Sequence, residues 1–301
     1  MNSLRFAHIR LDAIKNLYQQ QRITVDVLRL DELHPQVSGN KWFKLKEYLA
    51  EAKMLGKKVV LTFGGAYSNH IIATAIACKE EGLKAIGIIR GEESPTLSHT
   101  LQQANAAGMD LFFSSREAYK NKEVPKAVWE QYTQIEVYLI NEGGYGLKGR
   151  EGAQSILDHC PKPSNSHIMA ACGTGTTLAG LVAAALPGQK VLGVPVLKNY
   201  TELGDAINAL LPSSLHTAYT LVQDYHFGGY AKKTLELIGF MNRWYRETGI
   251  PSDFVYTGKL FYALDDLAGK GFFEPGSKVL VIHSGGLQGN ESLPKGTLIF
   301  P

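Results

Sequence analysis

The chain alternates short apolar runs with longer segments of helical period, and this alternation constrains its fold more than any other feature. One helical segment, residues 71–79, stops at Gly82. Such alternation is typical of crossover units, in which helices cover parallel sheets. We therefore predict an α/β protein with strands at residues 23–30, 59–63, 85–89, 111–113, 137–140, 167–170, 191–194 and 279–282.

Domain boundaries have few signals, because no linker rich in proline or serine and no repeat of fixed period occurs. The best candidates are the turn before Lys46 and the glycine cluster at residues 143–146. They bracket about 100 residues of strand–helix alternation, a common domain size. We predict a small domain at residues 46–146 and a large domain formed by residues 1–45 and 147–301.

The composition is that of an ordinary soluble globular chain. Of 301 residues, 45% are hydrophobic and 20% are charged, and basic residues exceed acidic ones by 31 − 28 = 3. The basic residues are scattered, so no nucleic-acid surface is indicated. No signal-peptide core and no spanning apolar window of about 18 residues occur, so we expect no membrane contact and a cytoplasmic protein. Cys78, Cys160 and Cys172 have neither disulfide nor metal-ligand spacing, and we expect no metal site.

The stretch Ser38-Gly39-Asn40-Lys41 closes a polar turn and opens a helix-like run. A lysine at the mouth of a helix meets the positive end of the helix dipole, which lowers the pKa of its amine. A neutral lysine can attack a carbonyl carbon and hold it as an imine, the way in which pyridoxal phosphate is carried. The alternative is that Lys41 is one of several solvated lysines, since Lys44 and Lys46 are close by.

A glycine turn, Gly64-Gly65-Ala66-Tyr67-Ser68-Asn69-His70, follows the strand predicted at residues 59–63. In the structural interpretation the glycines allow the bend, and Ser68 or Asn69 caps the next helix. In the functional interpretation free amides and the Ser68 hydroxyl hold a carboxylate. The Asn69 amide then donates to a phenolate-like oxygen of a cofactor.

A second turn, Cys172-Gly173-Thr174-Gly175-Thr176-Thr177, joins a predicted strand to a helix-like segment. Its small residues allow backbone N–H groups to converge, and the threonine hydroxyls and the helix N-terminus add to a phosphate site. The turn lacks the Walker lysine and the full dinucleotide spacing, so a phosphate monoester fits better than ATP or NAD. A module that binds a phosphorylated metabolite without catalysis is an alternative, although it would not need Lys41.

Two further segments, Tyr256-Thr257-Gly258-Lys259 and His283-Ser284-Gly285-Gly286, are less specific when taken singly. Each is compatible with an ordinary turn. Tyr256 has the alternative role of a core aromatic residue, and His283 that of a satisfied histidine at a strand end.

Taken together, these motifs resemble the family of 1-aminocyclopropane-1-carboxylate (ACC) deaminase and D-cysteine desulfhydrase. The resemblance covers about residues 20–290, with five motifs in the family's order: Gly39-Asn40-Lys41, Ser68-Asn69-His70, the loop from Gly173 to Thr177, Tyr256-Thr257-Gly258-Lys259 and Ser284-Gly285-Gly286. The G-N-K triplet distinguishes this family from the threonine dehydratases, cysteine synthases and tryptophan synthase β chains.

The resemblance implies a tryptophan synthase β-like fold, fold type II of the pyridoxal-phosphate enzymes, with two three-layer domains on parallel sheets. It implies pyridoxal 5'-phosphate as cofactor, the large domain as the cofactor-binding one, and a homodimer. Lys41 is then the imine lysine, Asn69 the partner of the cofactor's ring hydroxyl, Ser68 a contact of the substrate carboxylate and Tyr256 a residue facing the substrate. The implied phosphate loop consists of Gly173, Thr174, Gly175, Thr176 and Thr177.

Two positions discriminate within the family. The deaminase type has an acidic residue in place of Thr257 and an apolar residue in place of Ser284, whereas the desulfhydrase type resembles this chain, with a hydroxyl at both. A carboxylate beside the pyridine nitrogen keeps it protonated, and a neutral hydroxyl leaves a weaker electron sink. We expect both Thr257 and Ser284 to be cofactor-binding residues, with Ser284 as the direct partner of the pyridine nitrogen. Tyr67 and the run Leu287-Gln288-Gly289-Asn290 depart from the desulfhydrase pattern.

We therefore predict a pyridoxal-phosphate-dependent, β-eliminating lyase of the D-cysteine desulfhydrase type, acting on a small amino acid whose handedness stays open. Lys41, or a nearby hydroxyl such as that of Tyr256, removes the α-proton, and a β-substituent such as hydrosulfide leaves. Hydrolysis of the enamine gives ammonia and a keto acid. Deamination of the cyclopropane amino acid is the alternative.

Overall fold

The computed structural model describes residues 9–34, 37, 39–160 and 164–300. Ser38 of the predicted turn and residues 1–8 of the predicted large domain lie outside the described residues. The chain divides into two compact units. Among the described residues, the smaller unit comprises residues 34, 37 and 41–152, and the larger unit comprises residues 9–33, 39–40, 153–160 and 164–300.

Two sheets account for the strands of the described residues. The strands are β1 Arg10–Ile14, β2 Thr24–Arg29, β3 Val59–Gly64, β4 Lys84–Arg90, β5 Met109–Ser114, β6 Val137–Ile140, β7 His167–Cys172, β8 Lys190–Pro195, β9 Tyr219–Leu221 and β10 Lys278–His283.

The helices alternate with these strands along the chain. They are α1 Asn40–Met54, α2 Asn69–Glu80, α3 His99–Ala106, α4 Arg116–Lys120, α5 Lys126–Gln131, α6 Leu147–Gln154, α7 Thr176–Ala184, α8 Leu203–Asn208, α9 Leu235–Thr248 and α10 Thr257–Gly269. Among the residues described, no helix combines the length and the apolar character that a membrane crossing requires.

The smaller unit has three layers around four parallel strands in the order β5-β4-β3-β6. Alternate residues of β3 face opposite sides, because side chains alternate along a strand. Val60 packs with Ile72 of α2 in one apolar cluster, and Leu61 packs with Tyr119 of α4 in another. The strand order reverses between β3 and β6, and ligands favour the carboxyl ends of strands at such a point. The turn that carries Ser68 and Asn69 lies there.

The larger unit contains six strands in the order β1-β2-β10-β7-β8-β9, all parallel except β1, which pairs antiparallel with β2. Helices α9 and α10 contribute to its main apolar cluster, in which Trp244 stacks on Phe261 with ring centroids 4.5 Å apart. Because β2, β10 and β7 are parallel neighbours, their carboxyl ends meet at one edge of the sheet. The turns after these three strands are the ones that carry predicted motifs.

The predicted fold class is confirmed, and the predicted strands correspond to β2 to β8 and β10. Strands β1 and β9 were not predicted. Both lie at edges of the larger sheet, and neither contains a fully buried residue. A partly exposed edge strand lacks the continuous apolar run from which we predict buried strands.

The limits of the two units differ from the predicted boundaries. There is no turn before Lys46, because α1 continues unbroken from Asn40 to Met54. At the other limit, α6 approaches α1 so closely that a Cβ at Gly152 would overlap the carbonyl oxygen of Phe43. The first part of α6 therefore belongs to the smaller unit.

Candidate active site

In the larger unit, the turn after β10 lies against the residues that precede α1. The Asn40 amide donates to the carbonyl oxygen of Ser284 at 3.2 Å, and the Gly39 amide donates to that of Leu30 at 2.8 Å. Gly39 has φ +71°, and a Cβ at this position would overlap the Ser284 carbonyl oxygen. A glycine satisfies both the left-handed backbone and the close approach. The backbone geometry of this turn therefore explains why the first residue of the G-N-K triplet is a glycine.

The loop from Gly173 to Thr177 joins β7 to α7 and has the features of an anion site. Gly175 turns the chain into the helix with φ +82°. The Thr177 hydroxyl accepts a hydrogen bond from the Asn40 side-chain amide at 2.8 Å. Within the described residues, the backbone N–H groups of residues 173–177 donate to no acceptor. Unused donors at the N-terminus of α7 suit a phosphate group.

Asp253, which was not among the predicted site residues, organises the start of α10. It is fully buried, and its carboxylate accepts the amides of Val255, Tyr256 and Thr257, each at 2.9 Å. The Thr257 hydroxyl donates to the same carboxylate at 2.7 Å and accepts the Asp253 amide at 2.8 Å. The hydroxyl of Thr257 is therefore engaged both as donor and as acceptor within its own unit.

Tyr256 lies beside the candidate phosphate loop. A Cβ at Gly173 would lie 3.4 Å from Cε1 of Tyr256 and 3.7 Å from its hydroxyl oxygen. The ring of Tyr230 meets that of Tyr256 edge to face, with centroids 6.2 Å apart. Tyr256 is thus held at the loop rather than in the middle of the core.

Ser284 follows β10 and is buried, with 7% of its surface exposed. Its hydroxyl makes no hydrogen bond in the part of the chain that the structure describes. The preceding residue, His283, is fixed by two hydrogen bonds: its Nε2 donates to the carbonyl oxygen of Pro251 at 2.8 Å, and its Nδ1 accepts the Gly285 amide at 3.3 Å. His283 therefore matches the structural interpretation, and Ser284 presents an unused hydroxyl.

In the smaller unit, Lys41 and Lys44 lie one helical turn apart on α1. Lys44 is only 5% exposed, and its Nζ donates to the carbonyl oxygen of Gly143. Burial, and then the positive charge of Lys41, hold the pKa of Lys44 well below its usual range. The interpretation of Lys44 as a solvated lysine is wrong, because Gly144 lets the turn after β6 approach it. The sequence held no local signal for this burial, because the partner of Lys44 lies 99 residues away along the chain.

His70 is a second buried base that the sequence did not single out. The Thr62 hydroxyl donates to the carbonyl oxygen of Ile140 at 2.8 Å, so it accepts from His70 Nε2, also at 2.8 Å. This network assigns the imidazole proton to Nε2. Burial, and then the charges of Lys44 and Lys41, lower the pKa of His70 well below its usual range. His70 Nδ1 is a buried acceptor with no partner among the residues described.

Ser68 and Asn69 stand at the start of α2. The Ser68 hydroxyl accepts the His70 amide at 3.3 Å, which is the helix cap of the structural interpretation, and its own proton can still be donated. Asn69 Oδ1 is buried, and no described group bonds to it. Buried polar atoms without a partner are rare, and a bound ligand is one of their few explanations. Asn69 therefore fits the role of a ligand contact.

The comparisons with known proteins identify the family of this chain. A profile of the family described as "Pyridoxal-phosphate dependent enzyme" matches residues 11–285. A Pyrococcus horikoshii protein, provisionally named an ACC deaminase, is 29% identical over 292 residues, which are 92% of this chain and 88% of that protein. A protein of the same provisional name from Pyrococcus abyssi is 31% identical over 288 residues, 89% of this chain and 86% of its own.

Solved structures give the same picture of the fold. A structure described as the ACC deaminase homologue matches with a TM-score of 0.80 at 29% identity, covering 96% of this chain and 92% of that one. A hydrogen sulfide-producing enzyme from Fusobacterium nucleatum matches with a TM-score of 0.68 at 16% identity, covering 94% of this chain and 97% of its own. At 16% identity, the match to the Fusobacterium nucleatum enzyme supports the fold alone.

Proposed function

We propose that this chain, which belongs to the family of pyridoxal-phosphate-dependent enzymes, eliminates a β-substituent from a small amino acid in the manner of a D-cysteine desulfhydrase. The observation that carries the proposal is the hydrogen bonding of two hydroxyl groups, those of Thr257 and Ser284. Thr257 is hydrogen-bonded to Asp253, and Ser284 has an uncommitted hydroxyl in a buried turn. Membership of an enzyme family argues against a non-catalytic binding module.

The residues present fit the cofactor. The unused amides of residues 173–177 would hold its phosphate, with the hydroxyls of Thr174 and Thr176, which lie 3.0 Å apart, as further donors. Asn69 would meet the ring hydroxyl, whose O–H could donate to the buried Oδ1 that lacks a partner among the described residues. Lys41 would hold the aldehyde, and Ser284 would meet the pyridine nitrogen.

When bound, pyridoxal phosphate supplies an electron sink for the negative charge that develops at the substrate's α-carbon. Ser284 would offer the pyridine nitrogen a neutral hydroxyl, which lacks the negative charge needed to keep that nitrogen protonated. The sink is then a weak one. Substrates that carry a good leaving group on the β-carbon suit it better than an unactivated cyclopropane ring.

We assign the proton transfer to Lys41 Nζ. The N-terminal position of Lys41 on α1 favours its neutral amine, because the helix dipole opposes a positive charge there. The hydroxyl of Tyr256, beside the candidate phosphate loop, is the second candidate for this role. Ser68 would orient the substrate by donating to its carboxylate.

Deamination of ACC is the second candidate reaction. It is favoured by the provisional names of the Pyrococcus relatives, at 29% and 31% identity. Two residues weigh against it: Thr257 stands where the deaminase type has an acidic residue, and Ser284 stands where it has an apolar one.

We also propose a homodimer, which the family resemblance supports, and a cytoplasmic location. Light scattering of the purified protein tests the first, with twice the chain mass expected and a single-chain mass contradicting it.

A substrate panel tests the reaction. The purified, cofactor-loaded enzyme receives D-cysteine, β-chloro-D-alanine, their L-enantiomers and ACC at equal concentrations, and the keto acid and ammonia released are measured. We expect pyruvate from the two D-amino acids and little keto acid from ACC, with Lys41→Ala as the inactive control. If ACC gives 2-oxobutanoate while the β-substituted alanines give no pyruvate, the deaminase replaces this proposal. Pyruvate from the L-enantiomers alone would correct the handedness.

A further inference from the structure

Lys259, on α10, is a buried lysine for which the proposed reaction has no use. It has no exposed surface, and its Nζ donates to the carbonyl oxygens of Gly229 at 2.7 Å and Val196 at 3.4 Å. Burial lowers the pKa of Lys259 to about 8, against the opposing charge of Asp253. Burying an ammonium group away from water costs free energy, and an apolar side chain of similar size would avoid that cost. We therefore expect the buried Lys259 to have a role other than packing.

Gly229 belongs to a strained segment, which we call the 224–231 loop. Positive φ angles occur at Asp224 (75°), Phe227 (50°), Gly228 (90°), Gly229 (120°) and Ala231 (52°). The left-handed conformation is unfavourable for residues other than glycine. A loop of this kind keeps its shape when the surrounding structure fixes it.

Helix α10 is the element that fixes the 224–231 loop. Besides the bond from Lys259, the Tyr225 hydroxyl donates to Asp266 at 2.6 Å. The Phe227 ring meets that of Tyr262 edge to face, with centroids 4.7 Å apart. Residues 259, 262 and 266 follow the spacing of a single helix face. One face of α10 therefore anchors the loop.

The 224–231 loop also carries Tyr230, whose ring contacts that of Tyr256 at an interplanar angle of 73°. Tyr256 immediately precedes α10 and is held there by Asp253. The same helix thus fixes both members of the tyrosine pair, one through its start and the other through Lys259.

We propose that Lys259 is a positioning residue, whose ammonium group holds the 224–231 loop so that Tyr230 packs against Tyr256 beside the candidate phosphate loop. A charged donor makes a stronger hydrogen bond to a carbonyl oxygen than a neutral one, and methionine, of similar shape, donates none. The proposal rests on the proposed role of Tyr256, but the contact itself can be tested without substrate.

The test compares Lys259→Met with Lys190→Met, which removes an exposed lysine of the same unit. Hydrogen exchange is measured in the cofactor-loaded proteins on peptides covering residues 224–232, where the Gly229 amide donates to His226 and the Lys232 amide to Gly229. We expect Lys259→Met to exchange about tenfold faster there, as loss of a charge-assisted bond predicts. Peptides of β7 and β10 should be unchanged, and Lys190→Met should behave as wild type.

Unchanged exchange in the loop of a folded Lys259→Met protein would overturn the proposal, as would equal acceleration in β7 and β10. If Lys259→Met does not fold, Lys259→Leu, which also lacks a hydrogen-bond donor, is judged by the same criteria. Failure of both variants to fold would make Lys259 a core residue and end the proposal.

Turnover supplies the second readout. With β-chloro-D-alanine, Lys259→Met should lower kcat more than it changes KM, while the visible absorbance of bound cofactor stays the same. A loosened loop with wild-type kcat would refute the positioning role. An enzyme that fails the whole substrate panel would refute the proposed reaction, whereas the exchange result would stand.

Discussion

The hydroxyl of Thr257 donates to the carboxylate of Asp253 at 2.7 Å and accepts the amide of the same residue at 2.8 Å. This reciprocal pair caps α10 and engages the Thr257 hydroxyl inside the larger unit. The Ser284 hydroxyl, in contrast, bonds to no group in the described ranges. Of the two positions that distinguish the two candidate reactions, we therefore expect Ser284 to meet the cofactor and Thr257 to stabilise the helix.

Matched substitutions should separate these two roles. Thr257→Val leaves a buried carboxylate and a buried amide each short of a partner, so it should lower the free energy of unfolding by about 1–3 kcal/mol. Ser284→Ala removes no bond within the described chain and should change that free energy by less than about 0.5 kcal/mol. It should lower kcat for β-chloro-D-alanine by about tenfold or more. Denaturant unfolding and steady-state kinetics measure both, and the reverse pattern would exchange the two assignments.

Gly39 should tolerate alanine far less well than Gly249. Both have φ +71°, but a Cβ at Gly39 would overlap the Ser284 carbonyl oxygen, whereas one at Gly249 meets nothing within 4 Å. Gly249→Ala should lower the free energy of unfolding by about 1 kcal/mol, the cost of the left-handed backbone. Gly39→Ala should lower it by about 3 kcal/mol or more. Equal losses in denaturant unfolding would show that the close approach is not present.

Asn69 should matter for the cofactor and not for the fold. Its buried Oδ1 has no described partner, so Asn69→Ala removes an unsatisfied group and should not lower the stability of the cofactor-free protein. The affinity of the Asn69→Ala variant for pyridoxal phosphate should fall by about tenfold, which corresponds to the loss of one hydrogen bond. Asn121→Ala, at an exposed position of the same unit, is the control. Wild-type cofactor affinity in Asn69→Ala would place the ring hydroxyl elsewhere.

The pH dependence of stability should report the buried Lys44. Burial, and then the charge of Lys41, lower its pKa in the folded protein, whereas in the unfolded chain a lysine has a pKa of about 10.4. Between these two values the unfolded state binds the extra proton. Stability should therefore rise with pH in this window, by up to about 1.4 kcal/mol per pH unit, and the contribution is lost as the pH falls. Lys44→Met should flatten the rise in unfolding experiments from about pH 7 to pH 9.5, and an unchanged slope would contradict the burial of a neutral amine.

The sequence predicted those features whose signal lies in a few consecutive residues, and it missed those that depend on residues distant along the chain. Buried strands such as β3 and β10 can be recognised as apolar runs. Gly173 and Ser284 can be recognised as candidate site residues because each lies in a turn after a predicted strand. The burial of Lys44 depends on a carbonyl group at Gly143, and that of Lys259 on one at Gly229. A lysine in a helix looks the same in sequence whether or not such a distant partner exists.

The engagement of Thr257 was hidden for a related reason. Its partner Asp253 is only four residues away, but an aspartate before a helix predicts an N-cap whether that cap is exposed or buried. The sequence therefore supplied the candidate residues of the site, and the fold supplied the hydrogen bonds that separate a structural hydroxyl from an available one.

The account depends most on Lys41 as the residue that carries the cofactor, and Lys44 is a buried amine one helical turn away. The direct measurement is reduction of the purified, cofactor-loaded enzyme with borohydride, followed by digestion and fragmentation mass spectrometry to locate the pyridoxyl group, with Lys41→Ala and Lys44→Met in parallel. We predict the label on Lys41 in the wild type and in Lys44→Met, and no label in Lys41→Ala. A label on Lys44, or on any lysine other than Lys41, would contradict the account.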